Sequence, residues 1–230
     1  VTRVLVVAAH PDDEVIGPGG TLAKHVRAGD TVAALILAEG KTSRADDACL
    51  PESMRRSLDE TSAALSELGV ASWRRLDLRD NQLDSYPLLT LARHVSDAVE
   101  EFSPQVVYTH HSGDLNIDHE LTARATMIAC RPHVSPVRWL LSFSTLSATE
   151  AGYAGRPVFQ PSVYSDISDT LDTKLAAMSH YSSELRDFPH PRSLQALRSQ
   201  AELFGAAAGV AAAEAFSVIR GTWSAGGQTP

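Results

Sequence analysis

The sequence predicts an α/β domain: a Rossmann-like, doubly wound, mostly parallel sheet with helices on both faces. Three observations carry this. Apolar, β-branched runs such as Val4-Leu5-Val6-Val7 alternate at regular spacing with helical patterns through the first half, as right-handed β-α-β crossovers require. These runs are apolar at successive positions, which marks strands covered on both faces. The 230 residues, 43% of them apolar, suit one domain with a full core, and no linker, repeat or shift in composition divides residues 1–230.

The elements follow in order. Residues 4–8 form the first strand. The glycine-rich stretch 17–20 opens a helix over 21–28, which stops near Gly29. Residues 31–37 are a second apolar strand, and the polar stretch 40–50 is a loop or lid. A helix over 51–68 places apolar or small residues at 54, 58, 61, 65 and 68 and ends at Gly69. Residues 73–78 are the third strand. Helix 87–102 gathers Leu88, Leu91, Ala92, Val95 and Val99 on one face. The fourth strand, 105–109, leads through a polar loop into a helix over 118–130. Strands at 139–144, 162–166 and 215–219 and helices at 169–180 and 193–209 complete the chain, with C-terminal helical and lid elements from about 145.

Composition excludes several classes of function. The net charge of −8 and the scattered Lys and Arg give no basic stripe for nucleic acid. Cys49 and Cys130 lie far apart and outside any Cys-x-x-Cys pair, so neither a disulfide framework nor a thiolate zinc site is expected. They read as idle thiols of a reducing compartment. No signal-peptide pattern precedes the first strand and no apolar run reaches the roughly 18 residues of a membrane span, so a cytoplasmic protein is expected.

Chemistry concentrates at two predicted strand ends. His10-Pro11-Asp12-Asp13-Glu14 follows the first strand directly. An imidazole and three carboxylates at the end of a buried strand are costly unless a cation compensates them. On a tight turn stiffened by Pro11, His10 and Asp13 can face one metal ion. Asp12 is then available as general base on metal-bound water, and Glu14 stands as a supporting outer carboxylate. The competing structural role is helix capping by the two aspartates.

The second cluster, His110, His111, Asp114, Asn116, Asp118 and His119, follows the fourth strand. It belongs at the same sheet edge, where open α/β sheets bind ligands. His119, at a helix start, supplies a third ligand and leaves one or two positions open. Asp118 either orients an imidazole or caps the helix. Asn116 either contacts substrate or shapes the turn. His110 and His111 either donate to an oxyanion or are satisfied strand-end side chains.

His-Pro-Asp-Asp-Glu after the first strand and Asp-His after the fourth resemble the PIG-L or LmbE-like zinc-dependent N-deacetylases, over nearly the whole chain. The resemblance implies zinc held by His10, Asp13 and His119, with Asp12 as general base. Arg55, on the Met54–Glu60 stretch, then reaches the sugar, and Asp80 accepts a sugar hydroxyl. His190, in Phe188-Pro189-His190-Pro191-Arg192-Ser193, approaches the active site. Many members carry a His where this chain has Asn116, so Asn116, His110 or His190 must supply the electrophilic helper. The implied reaction removes an N-acetyl group from an amino sugar, aminocyclitol or related glycoside, a small molecule. The family often forms homotrimers or hexamers. Two imidazoles and a carboxylate suit zinc, and other divalent metals can occupy such a site according to supply. Two alternatives stand beside this: an amidase of the same family acting on a thiol conjugate or longer acyl group, and a non-catalytic sugar- or nucleotide-binding domain.

Overall fold

The structure, a computed structural model, describes residues 1–43 and 50–222. Its frame is a seven-stranded sheet in the order β3-β2-β1-β4-β5-β7-β6. The strands are β1 (Arg3–Ala8), β2 (Thr31–Ala38), β3 (Ser72–Leu78), β4 (Val106–His110), β5 (Trp139–Phe143), β6 (Val163–Asp166) and β7 (Ala213–Gly221). β3, β2, β1, β4 and β5 pair in parallel, whereas β7 runs antiparallel to both β5 and β6. The sheet reverses its winding between β1 and β4, the position at which doubly wound sheets open a ligand crevice.

Alternation along β1 divides the core in two. Val4 and Val6 face a cluster covered by α1 (Asp13–Ile16), α2 (Gly19–Arg27), α3 (Leu50–Glu67), α6 (Leu171–His180) and α7 (Leu194–Ala208). Leu5 and Val7 face the opposite cluster, covered by α4 (Leu88–Phe102) and α5 (Ile117–Ala129). With both faces covered, every residue of β1 after Arg3 is buried, which explains the uninterrupted apolar run. Cys130 is buried and unpaired, and burial pushes its thiol up to about 12, so it is unreactive. Cys49 and most of the expected lid over 40–50 lie outside the described residues.

Two elements depart from the sequence expectation. The helix expected to open at 17–20 is preceded by α1, a single turn. Asp12 adopts φ 102°, and its carbonyl accepts hydrogen bonds from Val15 at 3.0 Å and Ile16 at 2.8 Å. A non-glycine residue held there stores about 1–3 kcal/mol of strain. Gly17 then lets the chain turn into α2, since a Cβ there would lie 2.3 Å from the buried Phe143 ring. The second departure is β7, which is longer than the expected 215–219 and lies between β5 and β6.

A buried ion pair locks β7 to the turn. Lys174 on α6 donates to Glu214 on β7 at 2.6 Å and to the carbonyls of Ile16 at 2.8 Å and Gly17 at 3.1 Å. Glu214 also accepts the otherwise orphaned N–H groups of Gly20 and Thr21 at the start of α2, at 2.8 and 2.7 Å. Lys174→Met leaves Glu214 buried without its cation and is expected to cost about 3–5 kcal/mol in urea unfolding. Adding Glu214→Gln to that variant should recover part of the loss.

Candidate metal centre

The parallel register Val7↔Thr109 brings the ends of β1 and β4 side by side. The residues that follow each strand therefore meet at one point of the sheet edge. His10 and Asp13 reach it from the β1 turn, and His119 reaches it from the first turn of α5. His10 Nδ1 lies 3.2 Å from Asp13 Oδ2 and 3.3 Å from His119 Nε2, and His119 Nε2 lies 3.3 Å from Asp13 Oδ2. Ligand bonds of about 2.0–2.2 Å in a tetrahedron put donor atoms about 3.3–3.6 Å apart, so this triangle is close to the size that one zinc-sized cation needs. Asp13 Oδ1 is buried and has no hydrogen-bond partner among the described residues.

The outer nitrogen of each imidazole is held by acid. His119 Nδ1 faces Asp114 at 3.1 Å, and His10 Nε2 faces Asp118 at 3.0 Å and Asp80 at 3.2 Å. Carboxylates in this position fix the ring and raise its basicity as a ligand. His110 serves differently. Its Nε2 accepts the Ala9 N–H at 2.9 Å, leaving Nδ1 for Thr145 Oγ1 at 3.1 Å, and its ring stacks on His119 with centroids 4.0 Å apart. His111 contacts the Pro157 carbonyl at 2.9 Å. Gly113 permits that loop approach, because a Cβ there would lie 1.9 Å from the Pro157 oxygen.

Asp12 stands apart from the donor triangle. It is buried, and neither carboxylate oxygen has a hydrogen-bond partner among the described residues. Its backbone N–H donates to Glu14 Oε2 at 3.1 Å, and Glu14 Oε1 accepts the Tyr181 hydroxyl at 2.5 Å.

Electrostatics match the geometry. Burial pushes Asp12 up to about 7, opposed by Arg192 and reinforced by Asp13 and Glu184. Burial also raises Glu14 to about 8 against the Tyr181 hydrogen bond. At Asp13, burial is outweighed chiefly by the charge of His119 and the hydrogen bond of His10, so its carboxyl stays well below the ordinary range. Burial alone would lower His10 and His119, but the surrounding carboxylates raise them to about 10 and 9. His110 falls to about 4 through burial and the neighbouring His119. Around the donor triangle the buried carboxylates outnumber the imidazoles, an excess of negative charge that favours a bound cation.

The remaining expected residues take other places. Asn116 caps α5, with its Oδ1 accepting the Asp118 N–H at 2.8 Å and its Nδ2 donating to Asn81 at 3.1 Å. Asp80 is buried, bonded to the Ser43 hydroxyl and to Asn81 as well as facing His10. Arg55 is exposed on α3. His190 is exposed and accepts the Arg192 N–H at 3.0 Å. Arg192, two residues on, brings Nε within 3.7 Å of Asp12. In the sequence Arg192 lies within the Phe188–Ser193 motif with nothing to mark its role, and neither Glu184 nor Lys41 stands out. The segment between α6 and α7 carries Arg192 to Asp12 and Glu184 to Lys41, which follows β2.

If the triangle holds the metal, Asp114→Asn should leave the protein folded and weaken metal retention about 10- to 100-fold in chelator competition.

Known proteins place this site in context. A sequence model of the PIG-L family, described as GlcNAc-PI de-N-acetylase, matches residues 5–130. The diacetylchitobiose deacetylase of Thermococcus kodakarensis is 25% identical over 198 residues, covering 80% of this chain and 70% of that protein. A conserved protein of Thermus thermophilus superposes with a TM-score of 0.78 at 24% identity, over the full length of both chains. The 4-carboxy-2-hydroxymuconate hydratase GalB of Pseudomonas putida KT2440 superposes with a TM-score of 0.76 at 20% identity, covering 97% of this chain and 98% of its own. The two structural likenesses establish the fold alone, and GalB shows that this fold also carries chemistry other than deacetylation.

Proposed function

The chain belongs to the PIG-L family of GlcNAc-PI de-N-acetylases, and from that premise we propose that it is a zinc-dependent hydrolase removing the acetyl group from an N-acetylated amino sugar, aminocyclitol or related soluble glycoside. One observation supports this above the others: a donor triangle with edges of 3.2–3.3 Å shares the turn after β1 with a buried carboxylate that has no hydrogen-bond partner among the described residues. A metal triangle alone would suit a structural ion. A strained, bare Asp12 beside it suits proton transfer.

His10, Asp13 and His119 hold the zinc. Bound there, it supplies a Lewis acid and a water acidified towards neutrality. Asp12 takes the proton of the attacking water and returns it to the amine nitrogen as the C–N bond breaks, giving acetate and the free amine. Asp114 and Asp118 keep the imidazoles oriented, and Asp80 assists at His10. Glu14, held by Tyr181, fixes the Asp12 backbone. His110 aligns His119 by stacking, Asn116 holds the start of α5, and His190 shapes the segment bearing Arg192. The exposed Arg55 meets the sugar. The relative named for diacetylchitobiose deacetylation supports a soluble saccharide. Among the described residues no helix is long and apolar enough to cross a membrane.

Incubating zinc-loaded protein with a panel of N-acetylated sugars and measuring acetate tests the activity. Acetate from at least one sugar is expected, and release of a longer acid alone would favour the amidase alternative. Asp12→Asn should keep the metal and lose about 10²–10⁴-fold in turnover, the range for a general acid–base group. A variant with unchanged acetate release would remove Asp12 from the reaction.

A further inference from the structure

Amide hydrolysis builds negative charge on the acyl oxygen, and a preorganised donor beside the metal is the usual way to stabilise it. The candidates named from sequence, and Lys41 near them, are committed elsewhere. The Asn116 amide is divided between Asp118 and Asn81. His110 accepts a backbone N–H at Nε2 and so carries no proton there. His190 is exposed and bonded to the Arg192 backbone. Lys41 donates to Glu184 at 2.5 Å and to Ser183 at 2.8 Å.

Arg192 differs from all of these. Its backbone is fixed at both ends, by the N–H bond to His190 and by the Arg186 N–H on its carbonyl at 3.1 Å. Its Nη1 donates to Glu184 Oε2 at 3.0 Å, and Lys41 holds the other oxygen of that carboxylate. The guanidinium is thus clamped at one edge. The opposite edge presents Nε, buried and without a hydrogen-bond partner among the described residues, 3.7 Å from the equally bare Asp12 Oδ2. At that separation the two groups are close but not hydrogen-bonded. A buried donor left unmade is costly in a native structure and calls for an explanation. A substrate oxygen entering beside Asp12 supplies one.

We propose that Arg192 is a catalytic residue whose Nε–H donates to the oxyanion that develops on the acyl oxygen, the part that Asn116 leaves open. The proposal rests on the amide-hydrolase reading above. Water adds to the acyl carbon, the carbonyl π pair moves onto oxygen and is held there by Arg192, and that pair re-forms the C=O bond as the amine leaves with the proton from Asp12. Glu184 and Lys41 act through Arg192 as positioning residues.

The test is steady-state kinetics of Arg192→Met and Arg192→Lys on whichever N-acetylated sugar gives acetate with the wild type, with metal content and melting temperature measured alongside. Arg192→Met should keep its metal and lose about 10²–10³-fold in kcat, the range for one oxyanion donor, with KM changed less than about threefold. Arg192→Lys should recover only part, because an ammonium keeps the charge and loses the fixed fork. Added guanidinium ion at low millimolar concentration should raise the kcat of Arg192→Met and leave the wild type unchanged. A folded, metal-loaded Arg192→Met with kcat within about threefold of wild type would overturn the proposal. So would a loss confined to KM, or to metal content, without guanidinium rescue. If the wild type itself releases acid from no amide, the hydrolase reading fails first and the proposal falls with it.

Discussion

The parallel pairing of β1 with β4 is the constraint on which the rest depends. It sets residue 10 beside residue 119 although 109 residues of chain separate them. Its cost is electrostatic. Asp12, Asp13, Glu14, Asp80, Asp114 and Asp118 are all buried around His10, His110 and His119. Like charges at this density separate unless something positive stands between them. The protein supplies part of that charge as Arg192. A divalent cation bound at the donor triangle would supply the rest, with His10 and His119 as neutral ligands.

The frame is built to tolerate that cost without moving. Buried helices flank the turn after β1, and Lys174 and Glu214 bind the two helix ends that meet there. His110 stacks on the His119 ring, and Phe143 packs at a tilt against His110 from behind. The strain at Asp12 persists because neighbouring contacts fix the turn on every side. A flexible loop would relax that φ and turn the carboxylate to water. Here the carboxylate stays buried.

Much of this was legible in the sequence because it obeys local rules. Continuous apolar runs reported doubly covered strands, and glycines marked helix ends within two residues. The two clusters announced themselves as acid and imidazole at strand ends, where charge is otherwise avoided. Less was legible wherever a residue's role depends on distant chain. Nothing near residue 214 in sequence says that β7 will insert between β5 and β6, because an antiparallel partner is chosen by the space left in the sheet. Asp80 looks like a turn residue and is instead buried against His10. Asn116 looks available and is used as a cap. Arg192 looks like one charge among several before a helix, and only the fold brings it to Asp12.

The donor triangle is the central claim, and equilibrium dialysis against zinc followed by metal analysis tests it most directly. Wild type and His119→Ala would be compared, both shown to be folded by circular dichroism. One tightly held zinc per chain in the wild type, lost in the variant, is the result expected. A folded wild type that retains no divalent metal, or a His119→Ala that holds it as tightly, would contradict the site.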